Sequence, residues 1–279
     1  MLRTKPALSI VATILAKNEE DIIATNLEHH IEQGVSAFII TDNHSEDHTK
    51  EIVSKYSEVK ELIEEPGENH HQSEWVTRMA KIACKFNPDW VVHLDADELW
   101  CGLPNLRKMR SEVVACERMY LHPPTGEDFS VQSMRWYLDL NHAGLPQECK
   151  VAHRPNPSFV IEHGNHAVQG VQGEHTVEVY RHHYPIRSYG QWSRKASGHL
   201  ALMKRNSMCE RWKNWYTLLN SGQLQGKFDM LTALWLELVQ GSEDLNHFLD
   251  MLDFWATPEV TEYCRQNRIM PKIGEWPHA

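Results

Sequence analysis

The 279-residue chain is 41% hydrophobic and 24% charged, the composition of a globular protein with enough apolar material for one large domain or one and a half. Its formal net charge of -10, with Lys and Arg clustered nowhere beyond short pairs, argues against a nucleic-acid partner. No stretch is long enough to span a membrane, the N-terminus has no signal-peptide hydrophobic region, and the six cysteines (Cys84, Cys101, Cys116, Cys149, Cys209, Cys264) contain no Cys-X-X-Cys pair, so a cytoplasmic protein with reduced thiols is predicted.

The first predicted element is a strand over Leu8–Leu15. A helix follows through Ile23, Leu27 and Ile31, with Asn18 as its expected cap and Gly34 near its end. Ala37–Thr41 reads as a second buried strand, Thr49–Tyr56 as a helix, and the more polar Val59–Ile63 as an edge strand. After the Pro66-Gly67 break comes a helix with Trp75, Met79, Ile82, Ala83 and Phe86 on its apolar face. Trp90–Leu94 reads as a strand buried on both faces. Strands alternating with helices at this spacing predict right-handed crossovers and a parallel, doubly wound sheet whose loops gather at one edge.

Beyond Cys101 the pattern thins to a short helix near Leu106, a strand over Val113–Leu121 and a loop-rich stretch. Phe159–Ile161 and Val177–His183 read as later strands, the second with Val177, Val179, Arg181 and His183 on one face. From Ser188 onward the pattern is helical.

The Trp90–Leu94 run stops abruptly at Asp95-Ala96-Asp97-Glu98. In open α/β sheets the carboxyl ends of the strands are where ligands bind, and two-residue periodicity turns Asp95 and Asp97 to the same side. Carboxylates that close repel unless a cation lies between them, and oxygen donors of this kind suit Mg²⁺ or Mn²⁺ completed by water and phosphate. The alternative is a solvated acidic turn after a core strand.

Lys17-Asn18-Glu19 after the first strand, Asp42-Asn43 with Ser45 and Asp47 after the second, and Asp95-Ala96-Asp97-Glu98 after the fourth together resemble family 2 glycosyltransferases of the GT-A fold. The similarity is densest over residues 8 to 100. It continues more thinly through Lys150, His153-Arg154-Pro155, Gly164-Asn165-His166, His183-Tyr184-Pro185, Ser188 and Lys195, which look like later motifs of bacterial and phage members. The resemblance implies a mostly parallel, Rossmann-like GT-A domain over residues 1–187, with a helical region over 188–279 packed on it.

By the same resemblance, Lys17, Asn18, Glu19, Asp42 and Asn43 hold the base and ribose of a nucleotide sugar. Asp95 contacts ribose or metal, Asp97 is the firmer metal ligand, and His183 is the third ligand, with His182 on the opposite face. Arg78 and Lys195 are candidates for the diphosphate, and Lys150 and Arg154 for the diphosphate or the acceptor; for Arg78 and Lys195 a solvated surface charge is the alternative. The implied reaction moves a sugar from a UDP-sugar, with UDP-glucose among the options, to a hydroxyl of a glycan or other acceptor. Mn²⁺ or Mg²⁺ is the cofactor and the anomeric centre inverts. Glu162, then Glu98 and His166, are the candidates for the base that deprotonates the acceptor. A homo-oligomer is compatible with this reading.

Three rivals stand beside it. A sugar-nucleotide pyrophosphorylase needs a glycine-rich, basic loop after its first strand, and Leu15-Ala16-Lys17-Asn18-Glu19 has no glycine. A metal hydrolase is suggested by 18 histidines, yet no His-Glu-X-X-His occurs. A non-catalytic carbohydrate-binding protein is suggested by ten tryptophans, although helical spacing in the C-terminal part predicts that most of them pack in a core.

Overall fold

The computed structural model describes residues 8–65, 71–126, 129–139, 149–198, 210–255, 258–270 and 272–276; Pro66, Gly67 and Cys209, named above, lie outside them. The architecture is α/β, as the alternation predicts. Two compact units make up the chain: Met1–Arg118 with Gln147–His182, and Met119–Pro146 with His183–Ala279. The second unit takes in residues 119–146 as well as the C-terminal helices, a division that differs from a single boundary at 187.

In the first unit the chain runs through β1 (Ile10–Ala16), α1 (Ile23–Glu32), β2 (Val35–Asp42), α2 (Thr49–Val53), β3 (Val59–Glu64), α3 (Gln72–Cys84), β4 (Trp90–Asp95), β5 (Glu98–Cys101), β6 (Val113–Leu121), β8 (Lys150–His153) and β9 (Glu174–His183), with β7 (Trp136–Asp139) belonging to the second unit. The strand order is β3-β2-β1-β4-β8-β6, and β9 pairs with both β6 and β5. β3, β2, β1 and β4 are mutually parallel, whereas β8 runs antiparallel to β4 and β6.

Alternation along β1 explains why the core strands read as unbroken apolar runs. Ile10, Ala12 and Ile14 pack with Ile23 and Leu27 of α1, while Val11 packs with Val76, Met79, Ala80 and Ala83 of α3. Helices therefore cover both faces, so the strands are mostly apolar, and the buried Thr13 of β1 and His93 of β4 hydrogen-bond to each other at 2.8 Å. β3 is at the end of the strand order, as its polar sequence predicts.

Three local expectations give way. α3 ends at Cys84, which leaves Phe86 45% exposed instead of on the helix's buried face. Asn18 does not cap α1; its side chain is used by a neighbouring loop. Phe159–Ile161 forms no strand, only a single bridge from Ile161 to Val168. The added antiparallel strand is β8, whose Lys150 and His153 break any apolar pattern and are held instead by tertiary pairing.

In the second unit, Tyr120 and Leu121 at the end of β6 pair with β7, which pairs in turn with β10 (Lys272–Glu275). Its helices begin with α4 (Tyr189–Gly198). Trp192, Trp215 and Trp235 are buried with Phe228, Leu231, Phe248 and Leu252, and the Trp192 and Trp215 rings meet at right angles, 5.6 Å apart. These three indoles are core residues and offer no open face to a sugar. Among the described residues, no helix is long and apolar enough to cross a membrane.

Several imidazoles are fully enclosed. In the first unit, His30 Nε2 accepts from Trp100 N at 3.0 Å, so its proton must sit on Nδ1, 2.7 Å from the Asn26 carbonyl. Burial, with His29 adding to it, pushes the His30 pKa down to about 3. Burial and the neighbouring His153 hold His93 well below the ordinary range. In the second unit burial takes His122 down to about 3. A depressed folded-state pKa contributes stability that is present above the unfolded value near 6.5 and is lost as pH falls toward 3. Urea midpoints should hold above pH 6.5 and then fall, with each buried imidazole adding up to about 1.4 kcal/mol per pH unit. Midpoints unchanged down to pH 4 would contradict this account of the core.

Candidate functional site

Strand register sets three loop origins side by side. Leu15 of β1 pairs with Asp95 of β4, and Ala16 pairs with Asp42 of β2, so the loops after β1, β2 and β4 leave one sheet edge at one level. This edge is the carboxyl end of the parallel strands.

The first two loops are stitched together. Asn18 N donates to Ser45 Oγ (2.9 Å), Glu46 N donates to Asn18 Oδ1 (2.8 Å), and Glu19 N donates to Thr49 Oγ1 (2.9 Å). Asn18 has φ +55°, a left-handed conformation that asparagine tolerates better than most residues. Asn18 and Glu19 thus build the loop, and Lys17 is half-buried beside them. Asp42 is buried; its Oδ2 accepts from Ser45 N at 2.9 Å, while its Oδ1 has no hydrogen-bond partner among the described residues. The Asn43 Oδ1 next to it is likewise buried and unpartnered.

The acidic turn after β4 is held from inside by α1. The Asn26 side-chain amide donates to the carbonyls of Ala96 (3.0 Å), Glu98 (3.0 Å) and Asp95 (3.3 Å), fixing the backbone that presents the carboxylates. Asp97 is buried, with 7% of its surface exposed.

Around the turn lies a charge network. Lys150 Nζ is 2.5 Å from Asp95 Oδ2, 2.7 Å from the Gly164 carbonyl and 4.0 Å from Glu98 Oε1. Asn165 Nδ2 donates to the other Asp95 oxygen at 2.9 Å. Arg181 Nε donates to Glu98 Oε1 at 3.0 Å, its Nη1 to the Cys116 carbonyl, and Trp100 Nε1 donates to Glu98 Oε2 at 3.3 Å. Burial raises the Asp95 pKa, opposed by Lys150 and reinforced by Glu98 and Asp97. Burial acts to lower the Lys150 pKa, but Asp95 and Glu98 outweigh it and hold the ammonium charged. Over Asp95, Asp97, Glu98, Lys150 and Arg181 the formal charges sum to minus one.

The turn that supplies Gly164 and Asn165 needs its glycine. Both residues have positive φ, and a Cβ on Gly164 would lie 2.2 Å from the His166 ring. His166 Nδ1 is 2.7 Å from the Cys149 carbonyl. Glu162, at the start of this turn, is exposed. Glu98, in contrast, is 2% exposed and bound to Arg181 and Trp100, so its carboxylate acts here as a buried counter-charge.

The remaining candidates have settings of their own. Arg78 pairs with Glu65 at 2.5 Å and lines a groove of about 710 Å³ along α3, with Lys81, Lys85 and His163; none of Asp42, Asp95 or Asp97 lines that groove. Arg154 stacks over Trp90 at 4.1 Å and donates to the carbonyls of Asp89 and Met109, a structural use. His183 and Lys195 belong to the second unit, where the His183 carbonyl accepts from His122 N and Lys195 is half-buried on α4. Asn26 and Arg181 carry the site's geometry without having been singled out for it by sequence, whereas Asn165 belongs to the Gly164-Asn165-His166 motif quoted for the resemblance. Arg181 sits in a strand that otherwise reads as a β-pattern, and Asn26 gives no signal beyond being a polar residue on the apolar face of a helix.

No protein-family model matches the chain, and no curated protein matches it. Solved structures similar to it include glucosyl-3-phosphoglycerate synthase from Mycobacterium tuberculosis in complex with Mn²⁺, UDP and glucosyl-3-phosphoglycerate, at 17% identity and a TM-score of 0.30 over 41% of this chain and 44% of that one. The match therefore spans less than half of the synthase. S. aureus TarS 1-349 is similar at 11% identity and a TM-score of 0.39 over 93% of this chain and 92% of that one. HddC from Yersinia pseudotuberculosis is similar at 13% identity and a TM-score of 0.36 over 64% and 94%. Likenesses this slight assign no activity; the functional reading rests on the residues.

Removing Lys150 strips Asp95 of its cation; breaking a fully buried pair costs about 3–5 kcal/mol, and because the Asp95 side chain is 31% exposed the loss here is about 1–3 kcal/mol. Lys150→Met should lower unfolding free energy by about that amount in urea titrations. Adding Asp95→Asn in the same chain should recover part of it. Strictly additive losses would show that the two side chains are not coupled.

Proposed function

We propose that this chain is a divalent-metal-dependent glycosyltransferase of GT-A type that moves a sugar from a UDP-sugar, UDP-glucose being one option, to an acceptor hydroxyl with inversion. The observation that carries the reading is the level exit of three loops from one sheet edge, bearing Asp42, Asp95 and Asp97. A pyrophosphorylase is disfavoured because the loop after β1 has no glycine and is rigidly stitched to its neighbour.

The side chains present suit a metal. Asp97 and Asp95 offer only oxygen donors, and the local charge of minus one favours a cation that fills its shell with phosphate and water. Both Asp95 oxygens accept hydrogen bonds, which anchors that side chain, and Asp97 is the firmer ligand by the resemblance. Bound there, Mn²⁺ or Mg²⁺ would supply Lewis-acid stabilisation of charge on the departing diphosphate.

The chain's own residues do the rest. Asp42 Oδ1, buried and unpartnered, accepts the uracil N–H or a ribose hydroxyl, an interaction that repays the cost of leaving a carboxylate oxygen dry. Asn18 and Glu19 hold the loop that closes over the base. Asn26 fixes the backbone of the acidic turn, so the carboxylates need little reorganisation when ligand arrives. Glu162, exposed on the turn that anchors Asp95, is the nominee for the base that takes the acceptor proton, with His166 behind it. Arg78 and Lys195 remain candidate counter-charges for the diphosphate, and His183 the further ligand that the resemblance implies.

With a panel of UDP-sugars and Mn²⁺, the wild-type chain should release UDP, and Asp97→Asn should reduce that turnover on the order of a hundredfold or more while keeping the wild-type unfolding midpoint. Wild-type turnover by Asp97→Asn at saturating Mn²⁺ would overturn the assignment. By calorimetry, Asp42→Ala should bind UDP roughly tenfold more weakly, about 1.4 kcal/mol, and unchanged affinity would remove Asp42 from the nucleotide pocket.

A further inference from the structure

A second group of ligating side chains lies apart from the acidic turn. Glu117, Cys149 and His175 present a carboxylate oxygen, a thiol sulfur and an imidazole nitrogen that all lie within 4.8 Å of one another. Their meeting follows from strand register. β6 and β8 are antiparallel with Cys116 opposite Lys150, so one step further Glu117 stands opposite Cys149. Alternation turns these two side chains to the sheet face opposite the one used by Lys150. β9 pairs with β6 and contributes His175, whose Nδ1 is ion-paired with Glu117 Oε1. Neighbouring strands thus deliver one donor each, within the few ångströms that cross-strand neighbours span.

We propose that these residues form a binding site for a borderline transition-metal ion of the Zn²⁺ or Co²⁺ class, distinct from the Mn²⁺ or Mg²⁺ site at Asp97. The donor set makes the distinction. One thiolate, one imidazole and one carboxylate suit Zn²⁺, whereas Mg²⁺ and Mn²⁺ prefer oxygen alone. Three protein ligands leave a fourth tetrahedral position for water, and the site is open to it: the Glu117 and His175 side chains are 40% and 56% exposed. Binding deprotonates the thiol, and the released proton passes to solvent. The ion ties β8, β6 and β9 together one residue before Lys150, the cation of the acidic turn.

The test is titration of the full chain with Co²⁺ alone, followed by absorption. The expected result is one equivalent bound, with a thiolate-to-cobalt charge-transfer band and the intense d–d bands of four-coordinate cobalt, both bleached by added Zn²⁺. Cys149→Ser should abolish the charge-transfer band, and His175→Ala should weaken binding at least tenfold. Asp97→Asn should leave the spectrum unchanged, which separates this site from the proposed catalytic one. Absence of the charge-transfer band in the wild-type chain, or its persistence in Cys149→Ser, overturns the proposal. Should Cys149→Ser fold poorly by circular dichroism, His175→Ala decides alone, since its side chain is largely solvated, and wild-type cobalt affinity in that variant also overturns it.

Discussion

A lysine ammonium 2.5 Å from an aspartate carboxylate, at the rim of a sheet whose interior is almost wholly apolar, is the interaction on which the rest of the first unit depends. Glu98 is 2% exposed, and a carboxylate so enclosed remains charged only where cations or donors meet it. Lys150 and Arg181 supply the cations, from β8 and β9 respectively. β8, which no apolar pattern suggests, and β9 are therefore the strands that allow β4 to end in acids. An ion pair of this kind adds little net stability compared with a well-packed apolar pair, but it holds charge where chemistry can use it.

Geometry follows from the same economy of parts. β1 lies between β2 and β4, so a single register fixes the exit points of all three loops. Asn26 reaches from α1 to three carbonyls of the acidic turn, and His30, one helical turn on, accepts from Trp100 N in the strand that follows. A helix covering one face of the sheet thereby also sets the shape of the turn at its edge. Because these groups are mutually bonded, the backbone that presents the carboxylates is fixed, so they could receive a cation with little reorganisation.

The strands β1, β2 and β4 were legible because helices cover both faces of the sheet, which leaves them mostly apolar with few polar residues such as Thr13 and His93. The acids at their ends were legible for the complementary reason, since such runs have no structural use for Asp95 or Asp42. What could not be read was partnership at a distance. Lys150 meets Asp95 across 55 residues of sequence, and no local periodicity encodes that. Arg154, expected near a diphosphate, stacks on Trp90 instead, because a guanidinium satisfies carbonyl acceptors and an aromatic face equally well. Phe159–Ile161 has strand composition but pairs through one bridge only, its neighbours being drawn into the turn that delivers Gly164 and Asn165. Trp192, Trp215 and Trp235 of the second unit followed their helical spacing into its core.

The central claim is that the acids closing β4 grip a divalent ion together with a nucleotide diphosphate. Anomalous diffraction from crystals grown with UDP and Mn²⁺ tests it most directly. The account predicts a manganese peak at bonding distance from an Asp97 oxygen, with the uracil ring against Asp42. Manganese or UDP bound at any other place on the chain, with the Asp97 carboxylate left uncoordinated, would contradict it.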